Sequence, residues 1–174
     1  MPPSPLSASA PSTCNSPLPG GSMSETMLEE SQNRLQLDSQ LSELSRVPPW
    51  VEDLGVRHGL AAETRYAINL CLEETLANVI LHGYKGQPGH PIVIQASCSG
   101  DSLFLAVEDK APPFIPSDPG QRTGVAGSLG NMPLGGNGIH LIYRFAASVD
   151  YQPLPDGNRL ILGFPTIAAK KIAV

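Results

Sequence analysis

Aromatic residues are scarce in this chain. Phe, Trp and Tyr make up 5% of its 174 residues, with a single tryptophan, Trp50. Any core must therefore be aliphatic, and an apolar content of 41% is enough to build one. Cysteine is scarce too. Cys14, Cys71 and Cys98 are odd in number, far apart, and form no CxxC pair. That disfavours a disulfide framework or a zinc knuckle and fits a reducing, cytoplasmic setting. Positive charge is short: 11 Lys and Arg stand against 16 Asp and Glu, a net charge of −5. No basic stripe exists beyond short pairs such as Lys170-Lys171, so direct nucleic-acid binding is not expected. No apolar run approaches the roughly 20 residues of a membrane span. The N-terminus lacks the basic-then-apolar pattern of a secretory leader. His58, His82, His90 and His140 form no HxxxH or HExxH spacing, and no GxSxG or Cys-His pattern is present. Zinc chemistry and covalent hydrolysis are therefore not expected.

What is present falls into clear segments. Residues 1–22, rich in Pro, Ser and Gly, bury too little apolar surface to offset their ordering entropy. A disordered tail over 1–25 is expected, or upstream sequence ahead of a start at Met23. One domain is expected over 30–168. NRLQLDS (33–39) alternates apolar and polar residues, as an edge strand does, and its position also suits a dimer-forming strand. Residues 41–60 read as a helix interrupted at Pro48-Pro49, with Pro49 opening a second helix and Gly59 stopping it. Trp50 is expected as a core anchor. PIVIQAS (91–97) and SLFLAVE (102–108) flank Ser99-Gly100-Asp101 and read as an antiparallel hairpin. VDYQPL and NRLILGF flank Pro155-Asp156-Gly157 and read as a second one. Between the hairpins lie a Gly- and Pro-rich stretch without periodicity (110–136) and a helix, IHLIYRFAAS (139–148). The order is helix, helix, hairpin, long loop, helix, hairpin. It predicts an α/β (α+β) two-layer sandwich: a mixed, mostly antiparallel sheet with helices on one face.

The stretch 64–84, TRYAINLCLEETLANVILHGY, holds two polar residues in apolar surroundings. At about 100° per residue, Glu74 and Asn78 lie one turn apart on one stripe. Ala67, Leu70, Cys71, Ala77 and Leu81 share that stripe. Ile68, Leu72, Leu76 and Val79 lie opposite. A helix apolar nearly all round is a buried one. Unpartnered polar groups there would cost several kcal/mol. Either Glu74 and Asn78 pair with other buried groups, or their stripe lines a ligand-filled cleft. An amide oxygen can ligate hard Mg²⁺, and a carboxylate can accept a proton from a hydroxyl. Asp109, at the end of an apolar strand, either begins a turn or accepts a hydrogen bond from an exocyclic amine such as adenine's. Leu134-Gly135-Gly136-Asn137-Gly138-Ile139 opens a helix. Its glycines allow close backbone approach, and the helix start offers N–H groups to phosphate. It lacks the GK[ST] of a Walker A loop. Taken alone, each feature also reads as a solvated face, a turn or a hinge. Cys71 and Cys98 read as small core residues.

In this order, ExxxN, strand-end Asp, Gly-rich stretch and GGxG-helix resemble the Bergerat nucleotide-binding fold of gyrases, heat-shock chaperones, histidine kinases and mismatch-repair ATPases. Within it, the stand-alone anti-sigma-factor serine/threonine kinases look most similar. The likeness rests on 72–78 (LEETLAN) with His82-Gly83-Tyr84, on Val107-Glu108-Asp109 with Pro113-Phe114, and on 135–142 (GGNGIHLI). The resemblance implies that Asn78 holds Mg²⁺ bridging the phosphates and that Glu74 is the general base toward a partner's serine. It implies that Asp109 reads adenine, that a lid over 115–134 closes on ATP, and that Gly135, Gly136, Asn137 and Gly138 cradle phosphate. It also implies a homodimer that binds a sigma factor and phosphorylates an anti-anti-sigma antagonist. Phosphoryl transfer of this kind needs chiefly positioning and charge neutralisation. Ala111 departs from the pattern, because the family usually has glycine two residues after the adenine-reading Asp. If that backbone needs φ > 0, alanine costs about 1 kcal/mol; if the base packs there, a methyl intrudes. The alternative reading, motivated by Ala111, is a protein-interaction module of the same fold without nucleotide chemistry.

Overall fold

Period-two alternation in the strand runs dictates a sheet with one apolar face, and that face organises the fold. The computed structural model describes residues 31–113 and 137–166. The expected tail, the lid over 115–134 and Gly135-Gly136 lie outside the described residues. β1 (Arg34–Asp38), β2 (Pro91–Ser99), β3 (Ser102–Asp109), β4 (Ser148–Leu154) and β5 (Gly157–Pro165) form one sheet in the order β1-β2-β3-β5-β4. Both expected hairpins are present, β2–β3 and β4–β5, and β1 is an edge strand. Every pairing among the described residues is antiparallel, a narrower form of the mostly antiparallel sheet expected.

Register aligns the apolar face across the strands. Leu35 lies opposite Ile94, Ile94 opposite Val107, Leu105 opposite Leu162 and Leu103 opposite Phe164. All are buried, and they join Val51, Leu54, Ile68, Leu72 and Leu76 from the helices in one core. Phe164 and Tyr84 are the aromatic members of that buried set; the rest is aliphatic, as the composition requires.

The helix layer follows largely from local signals. A 3₁₀ turn at Leu41–Arg46 leads into α1 (Val47–His58). Pro48 and Pro49 sit in the first turn of α1, where their missing N–H groups have no intrahelical partner to lose. The prolines thus open a helix, as expected of Pro49, and the segment before them is a 3₁₀ turn rather than an α-helix. Gly59 ends it in the left-handed region at φ 62°. Trp50 packs half-buried at the core's edge and donates its indole N–H to Gln32 O at 3.2 Å.

α2 (Ala62–Asn78) was expected to run unbroken to Gly83, but it gives way to a π turn at Val79–Gly83. There the Tyr84 N–H reaches back five residues to Val79 O at 2.9 Å. Helical periodicity does not foresee such a turn, and π turns are frequent at functional sites. α2 is also not buried all round. Ile68, Cys71, Leu72 and Leu76 are fully buried, whereas Leu70 and Ala77 are half-buried. Tyr66 and Leu81 are exposed at 63% and 47%. A helix layer in a two-layer fold has an outward side that meets water. Glu74 and Asn78 sit at that boundary, half-buried, which lowers their desolvation cost. Burial pushes the Cys71 thiol up to about 12, so this cysteine is a packing residue and not a nucleophile. α3 (Asn137–Phe145) packs along α2. Among the described residues no helix is long and apolar enough to cross a membrane.

Central burial sets a stability prediction. Leu105 is fully buried on β3 between β2 and β5, and Leu105→Ala should cost about 2–5 kcal/mol in urea denaturation. Val56, 78% exposed on α1, should tolerate Val56→Ala to within about 0.5 kcal/mol.

Candidate functional site

One cleft gathers residues from α2 and its π turn, β3, α3, β4 and β5. α2 and its π turn supply Thr75, Asn78, Val79 and Gly83. The end of β3 supplies Val107 and Asp109, followed by Ala111 and Pro112. Ile139 and Ile142 come from α3, Tyr151 from β4, and Asn158 and Leu160 from β5. An apolar wall with a few convergent polar groups is the usual character of a small-molecule site.

Asp109 is the most constrained of these groups. It is 8% exposed, and Asn158 faces it across the β3–β5 ladder. Asp109 Oδ1 accepts hydrogen bonds from Asn158 Nδ2 and from the Ala111 N–H, both at 2.8 Å. Asn158 Nδ2 also donates to Ala111 O at 3.0 Å, and Asn158 Oδ1 accepts the Tyr151 hydroxyl at 2.6 Å. The Tyr151 bond fixes which end of the Asn158 amide faces Asp109. Gly157 makes the approach possible. Its φ is 152°, and a Cβ there would come within 2.9 Å of the Asp109 carbonyl carbon and 3.0 Å of Lys110 Cα. Burial pushes the Asp109 carboxyl above its ordinary range, and the bonds from Asn158 and Ala111 oppose that shift. Asp109 Oδ2 takes no hydrogen bond among the described residues and remains an acceptor for a ligand. The Thr75 hydroxyl is buried beside the cleft, also without a partner among the described residues.

Asn78 lines the cleft as well, and Glu74 lies beside it. A Cβ on Gly138 would overlap Glu74 Oε2 and lie 3.2 Å from Glu74 Cδ and 3.6 Å from Asn78 Nδ2. The first turn of α3 therefore abuts this pair, and a side chain at 138 would displace the Glu74 carboxylate. Asn137 begins α3, but its side chain lies outside the described residues, as do Gly135 and Gly136. The structure thus brings Glu74, Asn78 and Gly138 together, and lines one cleft with Asn78, Asp109 and Ala111. Asn158, Tyr151 and Thr75 were missed. Asn158 directly follows the Pro155-Asp156-Gly157 turn, but only the strand order shows what it faces.

Ala111 is 5% exposed, and its φ is not positive. Alanine is unstrained there. Its methyl packs against Gly83, where an added Cβ would lie 2.7 Å away. The methyl that departs from the family pattern thus occupies the space left by a glycine in the facing π turn. Gly83→Ala alone should destabilise by about 1–3 kcal/mol through overpacking. Adding Ala111→Gly should recover much of that loss. A double-mutant cycle by chemical denaturation should give a coupling of about 1 kcal/mol or more, and additive effects would refute the contact.

Residues 37–164 match the model of the histidine kinase-like ATPase domain. The serine/threonine-protein kinase BtrW of Bordetella bronchiseptica is 29% identical over 115 residues, 65% of this chain and 79% of that protein. The crystal structure of the RsbU and RsbW domains of Rv1364c from Mycobacterium tuberculosis aligns with a TM-score of 0.52 at 15% identity. It covers 76% of this chain but only 32% of the other, and at that identity the likeness is one of fold. The matched stretch contains both α1 and α2, the π turn, α3 and four of the five strands nearly whole. The chain belongs to the histidine kinase-like ATPase domain family.

Proposed function

We propose that this protein is an ATP-dependent serine/threonine kinase that acts in the cytoplasm as an anti-sigma factor. In this proposal it holds a sigma factor in one state and phosphorylates an anti-anti-sigma antagonist in another, working as a homodimer. The observation that carries the kinase reading is one cleft lined by both Asp109 and Asn78, with Glu74 and Gly138 beside Asn78. The family match and the kinase named among the relatives support it.

The residues fit a nucleotide. Val79, Val107, Ile139, Ile142 and Leu160 offer an apolar slot for a base. Asp109 Oδ2 is the acceptor for its exocyclic amine. Mg²⁺ is commonly held by one or two protein oxygens together with substrate phosphates and water. Asn78 is the amide assigned to it, and when bound the ion neutralises phosphate charge. Glu74 accepts the proton of the incoming serine hydroxyl. The hydroxyl oxygen forms the new bond to the terminal phosphorus, the bond to the bridging oxygen breaks, and ADP leaves. Ala111 carries no backbone strain, and its methyl is seated against Gly83, so strain there gives no support to a module without nucleotide chemistry.

The reading is tested by titrating the full chain with ATP and Mg²⁺ and by following transfer to a serine-bearing protein substrate. Glu74→Ala should keep nucleotide affinity within about threefold and lose transfer by at least about a hundredfold. Retained transfer would remove Glu74 as the base. A wild type that no nucleotide stabilises would remove the kinase reading.

Asp109 links binding to pH. A carboxyl whose pKa rises on folding stabilises the fold below the ordinary carboxylate range, and that contribution is lost as pH rises through the raised value. At neutral pH, Asp109→Asn should hold or raise the stability of the nucleotide-free protein and abolish adenine-nucleotide binding. The ligand amine needs the ionised carboxylate. ADP affinity of the wild type, followed by calorimetry, should fall as pH is lowered through the raised Asp109 pKa.

A further inference from the structure

β3 ends at Asp109, and the next N–H, that of Lys110, finds its partner outside the sheet. The Tyr84 hydroxyl accepts it at 2.7 Å. Tyr84 is 7% exposed and follows directly on the π turn. Its ring stacks on His90 with centroids 4.4 Å apart and planes within 2°. His90 is held in turn, since its N–H donates to Ser39 Oγ at 3.1 Å, and Ser39 is fully buried at the end of β1. Ser39 Oγ donates to Gln87 O at 2.7 Å, and the Gly89 N–H donates to Asp38 Oδ1 at 2.8 Å. The connection 84–90 is thus buckled to the end of β1, and from it Tyr84 reaches the exit of β3.

The hydrogen bond falls between the two residues that shape the cleft. Asp109 supplies the acceptor and Ala111 the seated methyl, and Lys110 joins them. Asn158 holds this corner through Asp109 Oδ1 and Ala111 O, and Tyr84 holds the same corner through Lys110 N. Burial pushes the Tyr84 phenol up, with the Asp109 charge adding to the shift, so the hydroxyl stays protonated.

We propose that Tyr84 is a positioning residue for the nucleotide cleft, fixing Lys110 and through it the Asp109 carboxylate and the Ala111 methyl where the base is received. This rests on the nucleotide reading above. Tyr84→Phe keeps the ring and the stack on His90 and removes only the acceptor. In the full-length variant, hydrogen exchange at the Lys110 amide should rise at least about tenfold. Calorimetry with ADP should give a Kd raised by about three- to tenfold, while the unfolding midpoint moves little. A lowered midpoint with wild-type ADP affinity, or a Lys110 amide exchanging as in the wild type, overturns the proposal. A wild type that binds no ADP overturns the nucleotide reading and the proposal with it, whereas equal binding by wild type and Tyr84→Phe overturns the proposal alone.

Discussion

A carboxylate held at 8% exposure at the end of an interior strand must be compensated, and the architecture around the cleft meets that requirement for Asp109. The donors come from two directions. Asn158 reaches across the ladder from β5, and Ala111 folds back from two residues ahead. Both act on one oxygen, which leaves the other to a ligand. Gly157 is the geometric condition for this, since any side chain there would strike the backbone of Asp109. Tyr151 on the edge strand β4 adds the last constraint by setting the Asn158 amide. A polar network satisfied at one carboxylate oxygen, with the other unbonded among the described residues, would meet the proposed base without rearrangement.

The helix layer meets this corner with glycines where backbones converge. Gly138 lets α3 come down onto Glu74 and Asn78, and Gly83 receives the Ala111 methyl. The first contact sets α3 against the Glu74 carboxylate and the Asn78 amide, and the second seats Ala111 in the cleft wall beside Asp109. The π turn at Val79–Gly83 belongs to the same arrangement, since it places Gly83 opposite Ala111 and leads directly into Tyr84.

Much of this was legible in the sequence, for physical reasons. Period-two runs set the strands, and the turn residues set both hairpins. The i,i+4 spacing put Glu74 and Asn78 on one stripe, and an apolar strand ending in Asp marked Asp109. The remainder depends on contacts between residues distant in the chain. Asn158 faces Asp109 only because β5 inserts between β3 and β4, an order that no local pattern encodes. Tyr84 meets Lys110 across 26 residues. Ala111 looked like a defect because Gly83, its complement, lies on another element. Proline is tolerated in a first turn, so Pro49 marks a helix start in the sequence, whereas the 3₁₀ form of the turn before it follows from no local period. Treating α2 as buried all round overlooked that a two-layer fold leaves its helices one wet side.

The central claim is that Asp109 Oδ2 receives the exocyclic amine of a purine. Its most direct measurement compares the affinity of the wild-type protein for ADP and for the diphosphate of purine riboside, which lacks that amine, by calorimetry at neutral pH with Mg²⁺. Loss of one hydrogen bond to a desolvated charge predicts binding weaker by about tenfold to a hundredfold for the analogue. Equal affinities for the two ligands would contradict an amine-reading Asp109.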